Sequence, residues 1–183
     1  MPSVIMDPTG QKHGEHQSDF ALAPRRAGLS GARVGLLENG KQNAALFLEE
    51  VGRALKDRYG VTDVKLRRKD VFSAPAPREL VDELRSQCDV VVIGIGDCGS
   101  CSATAVADGV TLEREGTPAA VICSEAFKTT ADAMAEVRGA PGYHYLTTPH
   151  PVAGLTPEQV HERAEAVAGE VAAMLGAEAR RAA

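Results

Sequence analysis

The chain has 183 residues, is 44% hydrophobic and 4% aromatic, has no tryptophan and four cysteines, and carries a formal charge of -5. At roughly 100–200 residues per domain this length predicts one domain that buries a core without disulfide staples, and so few cysteines exclude a disulfide-dense secreted scaffold. The acidic balance argues against nucleic-acid or membrane-surface partners, no apolar run approaches the ~18 residues of a membrane span, and the N-terminus shows no signal-peptide core, so a cytoplasmic location is expected.

Residues 1–31 read as an N-terminal arm. It holds a turn at Asp7-Pro8-Thr9-Gly10 and polar residues around His13 and His16. Such an arm packs on the domain or on a partner, or it stays disordered as termini often do. Regular patterning starts at Arg33. Residues 34–37 form a short apolar strand. Residues 42–59 follow as a helix, with Phe47, Val51, Leu55 and Tyr59 on one face and Gly60 as its stop. A weaker strand spans 61–66 and a short helix 78–87. Residues 89–95 give the strongest strand signal. Their β-branched run, Val90 to Ile93, implies burial on both faces, as in a central parallel strand. A helix over 102–115, a strand over 118–123, a helix over 125–138 and a short strand over 143–147 come next. The last helix spans 157–175, with Thr156 as N-cap and Pro157 in its first position. Residues 177–183 read as a fraying tail.

This alternation predicts an α/β class. Residues 32–176 are expected to form a single three-layer αβα domain around a mainly parallel five-stranded sheet, flavodoxin- or Rossmann-like. Such sheets bind ligands at the carboxyl ends of their strands, where the strand order reverses. In the order 2-1-3-4-5, the first and third strands flank that point.

The loop after the third strand reads Gly94-Ile95-Gly96-Asp97-Cys98-Gly99-Ser100-Cys101-Ser102. Its C-x-x-C pair lies where a buried strand passes into a helix N-terminus. Backbone N–H groups there favour anions, and thiol pKa values at such positions fall from ~8.5 to as low as ~3.5–7.5. The glycines permit tight turns and close approach of a ligand. Asp97 opposes a thiolate unless it turns away or handles protons. Cys98 and Cys101 are therefore the candidate reactive pair. Gly99, Ser100, Ser102 and Asp97 are candidates to touch substrate. Cys88 and Cys123 read as packing residues, though Cys123 ends a strand and can face the site. One C-x-x-C pair falls short of the four ligands of a structural zinc site, so no metal is expected unless His144 or His150 completes a composite site.

Other strand ends supply candidate partners. Asn39, Lys41 and Asn43 follow the first strand, Lys41 offering charge and the asparagines orienting a substrate. The alternative for each is a solvated helix start. This loop lacks the Ser/Thr/Gly richness of a flavin phosphate cradle, which disfavours flavin. Ser124 reads as a helix N-cap, and Glu125 as a general base or a first-turn acid favoured by the helix dipole. His150, held between Pro149 and Pro151, suits acid–base work near neutral pH or is simply a surface turn residue. His144 is expected to be packed and His161 exposed.

Gly96-Asp97-Cys98-Gly99-Ser100-Cys101 resembles the signature of the UGSC-like (seleno)protein family, with Cys98 at the selenocysteine position. Asp7-Pro8-Thr9-Gly10, Leu37-Glu38-Asn39-Gly40-Lys41 and Pro149-His150-Pro151 also resemble it, so the likeness runs along nearly the whole chain. That family is distantly similar to the selenoprotein B subunits of glycine, sarcosine and betaine reductases. The resemblance implies thiol or selenol chemistry and leaves the substrate open.

The expectation is a thiol-dependent, oxidoreductase-like enzyme acting on a small polar or carboxylated molecule. Cys98 attacks, Cys101 resolves and His150 moves protons. An external thiol or other electron donor replaces any bound cofactor. Two rivals stand beside it. One is a half-site or non-catalytic subunit, in a homo-oligomer or paired with a related chain. The other is a lyase or hydratase with a covalent cysteine adduct.

Overall fold

The computed structural model describes residues 20–176. The turn at residues 7–10, His13, His16 and the tail at 177–183 lie outside the described residues. In chain order the elements are β1 (Arg33–Glu38), α1 (Ala44–Tyr59), β2 (Asp63–Arg68), α2 (Arg78–Gln87), β3 (Val90–Gly96), α3 (Gly99–Arg114), β4 (Ala119–Ser124), a short 3-10 turn (Glu125–Phe127), α4 (Lys128–Val137), β5 (Leu146–Thr148) and α5 (Pro157–Met174). The strands form one parallel sheet in the order β2-β1-β3-β4-β5.

The period of two along a strand divides the core into two layers. Val34, Leu36, Val90, Val92, Ala120 and Ile122 face α1 and α5. Leu37, Val91, Ile93, Val121 and Cys123 face α2, α3 and α4. The pairing of β3 with β4 shifts between Ile93 and Gly96, and within that interval Ile95 joins the α1–α5 layer. This irregularity lies one residue before the Asp97-Cys98 turn.

Two glycines are required by close packing. A Cβ on Gly109, in the middle of α3, would run into Val121 and stand 2.5 Å from the Tyr143 hydroxyl. The helix accepts its cost of ~1 kcal/mol relative to alanine because the sheet and Tyr143 need the space. A Cβ on Gly96 would stand 2.7 Å from both Cys123 Sγ and Ser102 Oγ, so the glycine lets α3 lie close to the end of β3.

Several boundaries move from their sequence-based positions. Helix α3 starts at Gly99 instead of 102, because Cys98 acts as its N-cap and accepts the Cys101 N–H. Helix α1 starts at Ala44, after Asn43 takes a left-handed φ of 65°. Strand β5 covers only Leu146–Thr148. His144 precedes it and is exposed, not packed, because Tyr143 and Tyr145 on either side of it take the places in the core. The Thr156 cap forms as expected, with Gln159 completing the reciprocal pair of bonds and Pro157 in the first turn.

Residues 20–31 lie against the domain. The Ala23 N–H and the Arg25 guanidinium converge on the buried Glu113 carboxylate, which also accepts the Ala119 N–H at 2.8 Å. Between β2 and α2, residues 69–77 are strapped to α3. Buried Lys69 pairs with buried Asp108 at 2.6 Å, and Asp108 also accepts the Ala76 N–H at 2.7 Å. Burial pushes the Asp108 carboxyl up, against the pull of Lys69. No described helix is long and apolar enough to cross a membrane.

Candidate functional site

Cys98 and Cys101 occupy one turn at the carboxyl end of β3, with their Cα atoms 5.2 Å apart and their sulfurs paired as a disulfide. The two are not equivalent. Cys98 is partly exposed, and the exposed Ser100 hydroxyl lies 3.6 Å from its sulfur. Cys101 is fully buried in the first turn of α3. Cys98 is therefore the sulfur open to the surface, and Cys101 lies behind it.

Asp97, just before the pair, is an anchor. Its Oδ2 accepts the N–H groups of Val152 at 3.0 Å and Ala153 at 2.9 Å. Its Oδ1 accepts the Ser124 hydroxyl and lies 3.0 Å from His150 Nδ1. Burial pushes this carboxyl up, but Ser124, the Ala153 and Val152 amides and His150 together outweigh it and hold it below the usual range. The Phe127 ring meets the His150 ring edge-on, with centroids 5.2 Å apart. Arg163 from α5 donates to the Pro149 carbonyl and steadies the same loop.

The other expected residues are spread between site and scaffold. Asn39 is buried. Its amide donates to the Ile95 carbonyl at 2.9 Å and joins the loop after β1 to the end of β3. Lys41 sits over the Phe72 ring at 4.0 Å. Asn43 donates to the carbonyls of Val152, Ala153 and Leu155, so it holds by its carbonyls the loop that Asp97 holds by its amides. Ser102 is fully buried and donates to the Gly96 carbonyl at 2.9 Å, which fixes the turn. Gly99 opens α3 facing Thr130 of α4, where a Cβ would lie 3.8 Å from Thr130 Oγ1. Glu125 is exposed in the 3-10 turn.

Ser124 caps no helix with its side chain; its hydroxyl goes to Asp97. Phe127 and the Val152 and Ala153 amides also belong to the arrangement, although no sequence motif marks them. A pair of residues at strand ends that share one side of a carboxylate leaves no signature in sequence spacing.

The loop after β1 is held by its own hydrogen bonds. Gly40 N–H donates to the Glu38 carboxylate, Lys41 N–H to Asn39 and Ala44 N–H to the Lys41 carbonyl. Among the described residues, no group of three or more His, Cys, Asp or Glu gathers to hold a metal ion. Burial pushes the Cys123 thiol up to about 12 and also raises that of Cys88, so both are packing thiols. An open cleft of about 550 Å³ between α4 and β5 is lined by Lys128, Asp132 and Tyr145 among others, and by no residue of the Cys98 turn.

Residues 4–177 match the model of the UGSC family. The chain belongs to the UGSC family. No curated protein matches this UGSC chain. Two solved structures resemble it at low identity. A diflavin flavoprotein A3 from Nostoc sp. is 12% identical with a TM-score of 0.44, over 80% of this chain and 94% of that one. The flavodoxin-like domain of a Synechococcus sp. protein is 19% identical with a TM-score of 0.42, over 78% of this chain and 90% of that one. The parallel order β2-β1-β3-β4-β5 is itself the flavodoxin-like arrangement.

Proposed function

We propose that this UGSC-family chain is a thiol-dependent enzyme that carries out nucleophilic redox chemistry on a small polar substrate. One observation carries the reading. A partly exposed cysteine caps a helix at the strand-order reversal, with a second, buried cysteine directly behind it. An attacking thiol must meet substrate, and a resolving thiol must meet only the attacking one. Cys98 and Cys101 divide those requirements between them.

Cys98 sulfur bonds to an electrophilic centre as that centre's bond to its leaving group breaks, and the leaving group takes the proton that Cys98 gave up. Cys101 sulfur then attacks Cys98 sulfur. The disulfide forms, and the released fragment keeps the electron pair and takes the proton of Cys101. The substrate gains two electrons and the pair loses two. An external dithiol or two monothiols return them. His150 carries the protons. The helix N-terminus stabilises the sulfur anion between steps.

The test is intact-protein mass spectrometry of the reduced chain with candidate electrophilic metabolites. Cys101→Ser should accumulate a covalent adduct on Cys98, because nothing resolves it. Cys98→Ser should form none. Turnover that survives in Cys98→Ser overturns the reading.

A further inference from the structure

Resting on that thiol reading, we propose that Asp97 is a positioning residue. It fixes the His150 ring with its proton on Nδ1 and leaves Nε2 as the nitrogen that exchanges protons with the reacting groups.

The donors and acceptors around the Asp97 carboxylate fix the tautomer. An ionised carboxylate only accepts, and it has about four acceptor sites. The Asp97 side chain is 4% exposed. Two backbone N–H groups fill Oδ2, and both can only donate. The Ser124 hydroxyl takes one place on Oδ1. The ring nitrogen 3.0 Å from that same oxygen is attracted only if it, too, donates. In the neutral ring, a proton on Nδ1 places the lone pair on Nε2. Among the described residues Nε2 has no hydrogen-bond partner. The His150 side chain is 37% exposed, so the ring is open to solvent or substrate.

The same carboxylate also orients the ring's mount. Val152 and Ala153 follow His150 closely, and their amides end on Asp97. Asn43 donates to the carbonyls of Val152, Ala153 and Leu155 and holds the same loop. Phe127 meets the ring at an interplanar angle of 84° and limits its rotation. The loop and the ring are thus set by one side chain. That side chain immediately precedes the attacking cysteine, so the base and the thiol share one mount. With four donors on it, Asp97 has no acceptor site left for substrate. It acts through His150.

The experiment is nitrogen-15 NMR of the full chain at a pH where His150 is neutral, read with turnover. The wild type should show the Nδ1–H tautomer at His150. Asp97→Asn should shift the ring toward Nε2–H and lower kcat roughly 100-fold with little change in KM, within the range of a misplaced acid–base group. Ser124→Ala removes only a neutral donor and should keep the wild-type tautomer. An Nε2–H ring in the wild type overturns the proposal, and that measurement needs no variant to fold. A folded Asp97→Asn chain with unchanged tautomer and kcat overturns it as well. If Cys98→Ser keeps turnover while the wild-type ring is Nδ1–H, the thiol reading falls and the assignment of Asp97 stands.

Discussion

Ser124 at the end of β4 donates its hydroxyl to Asp97, the residue that follows β3. The bond joins adjacent parallel strands at their carboxyl ends, beside the Cys98 turn. It takes a hydroxyl that would otherwise cap the following turn and spends it on a buried carboxylate. Sheet, turn and histidine loop therefore meet at one side chain.

That meeting predicts a pH signature. Asp97 is held below the ordinary aspartate value of 3.8, so as pH falls the unfolded chain takes up this proton before the folded one. The stability Asp97 supplies is complete above the ordinary value and is lost as pH falls through the lower folded one. Hydrogen bonds to a charged group contribute ~1.5–3 kcal/mol each. Asp97→Asn should therefore cost about 2–3 kcal/mol at neutral pH by chemical denaturation. The gap to wild type should close on acidification below the ordinary value. A gap that stays constant into strong acid contradicts the assigned role.

The cysteines predict an order of alkylation. In the reduced, folded chain, Cys98 is the most accessible and should react first with iodoacetamide. Cys101 is fully buried behind it and should follow slowly. Cys123, pushed up to about 12, and Cys88, also raised by burial, should stay unmodified near pH 8 until denaturant is added. Peptide mapping against time reads the order. Early labelling of Cys123 would show that this thiol faces the site after all.

Much of this arrangement is legible in the sequence because it follows local periodicity. The run Val90 to Ile93 marks a central strand, and Cys98-Gly99-Ser100-Cys101 falls where a parallel sheet passes into a helix. Contacts among side chains on separate loops are less legible. Asn43 and Ser102 have the residue types of a polar site, yet the hydrogen bonds of both are spent on backbone carbonyls. Ser124 reads as a helix cap, and only the pairing of β4 beside β3 brings its hydroxyl to Asp97 instead. The start of α3 moves by three residues because a cysteine sulfur, a weak acceptor, takes the capping role that sequence rules give to Ser, Thr, Asp or Asn.

The strap over α3 predicts non-additive stability. Lys69 and Asp108 are 3% and 2% exposed, so removing either leaves the other buried and unpaired. Asp108→Ala should cost about 3–5 kcal/mol. The double variant Lys69→Met/Asp108→Leu should recover part of that loss, since no unpaired charge remains. Denaturant midpoints of the two single variants and the double one measure the coupling. Strict additivity would show that water reaches the pair.

Gly96 carries the last prediction. A methyl there would stand 2.7 Å from Cys123 Sγ and Ser102 Oγ, and 2.9 Å from Ser102 Cα. Side-chain ends can turn aside, but the Ser102 Cα belongs to the first turns of α3 and moves only with the helix. Gly96→Ala should therefore push α3 away from the end of β3. Overpacking of this kind costs typically ~1–3 kcal/mol. The displacement should also loosen the Cys101 N–H bond to Cys98 sulfur, because Cys98 stays with the strand while Cys101 travels with the helix. Two measurements follow from one variant. Denaturation should report the lost stability, and the reduced folded chain should show faster alkylation at Cys101 relative to Cys98. Gly109→Ala also overpacks α3, but remote from the pair, and should lower stability without changing that ratio. Equal effects of the two variants on the cysteine ratio would show that the approach of α3 at Gly96 does not control access to the buried thiol.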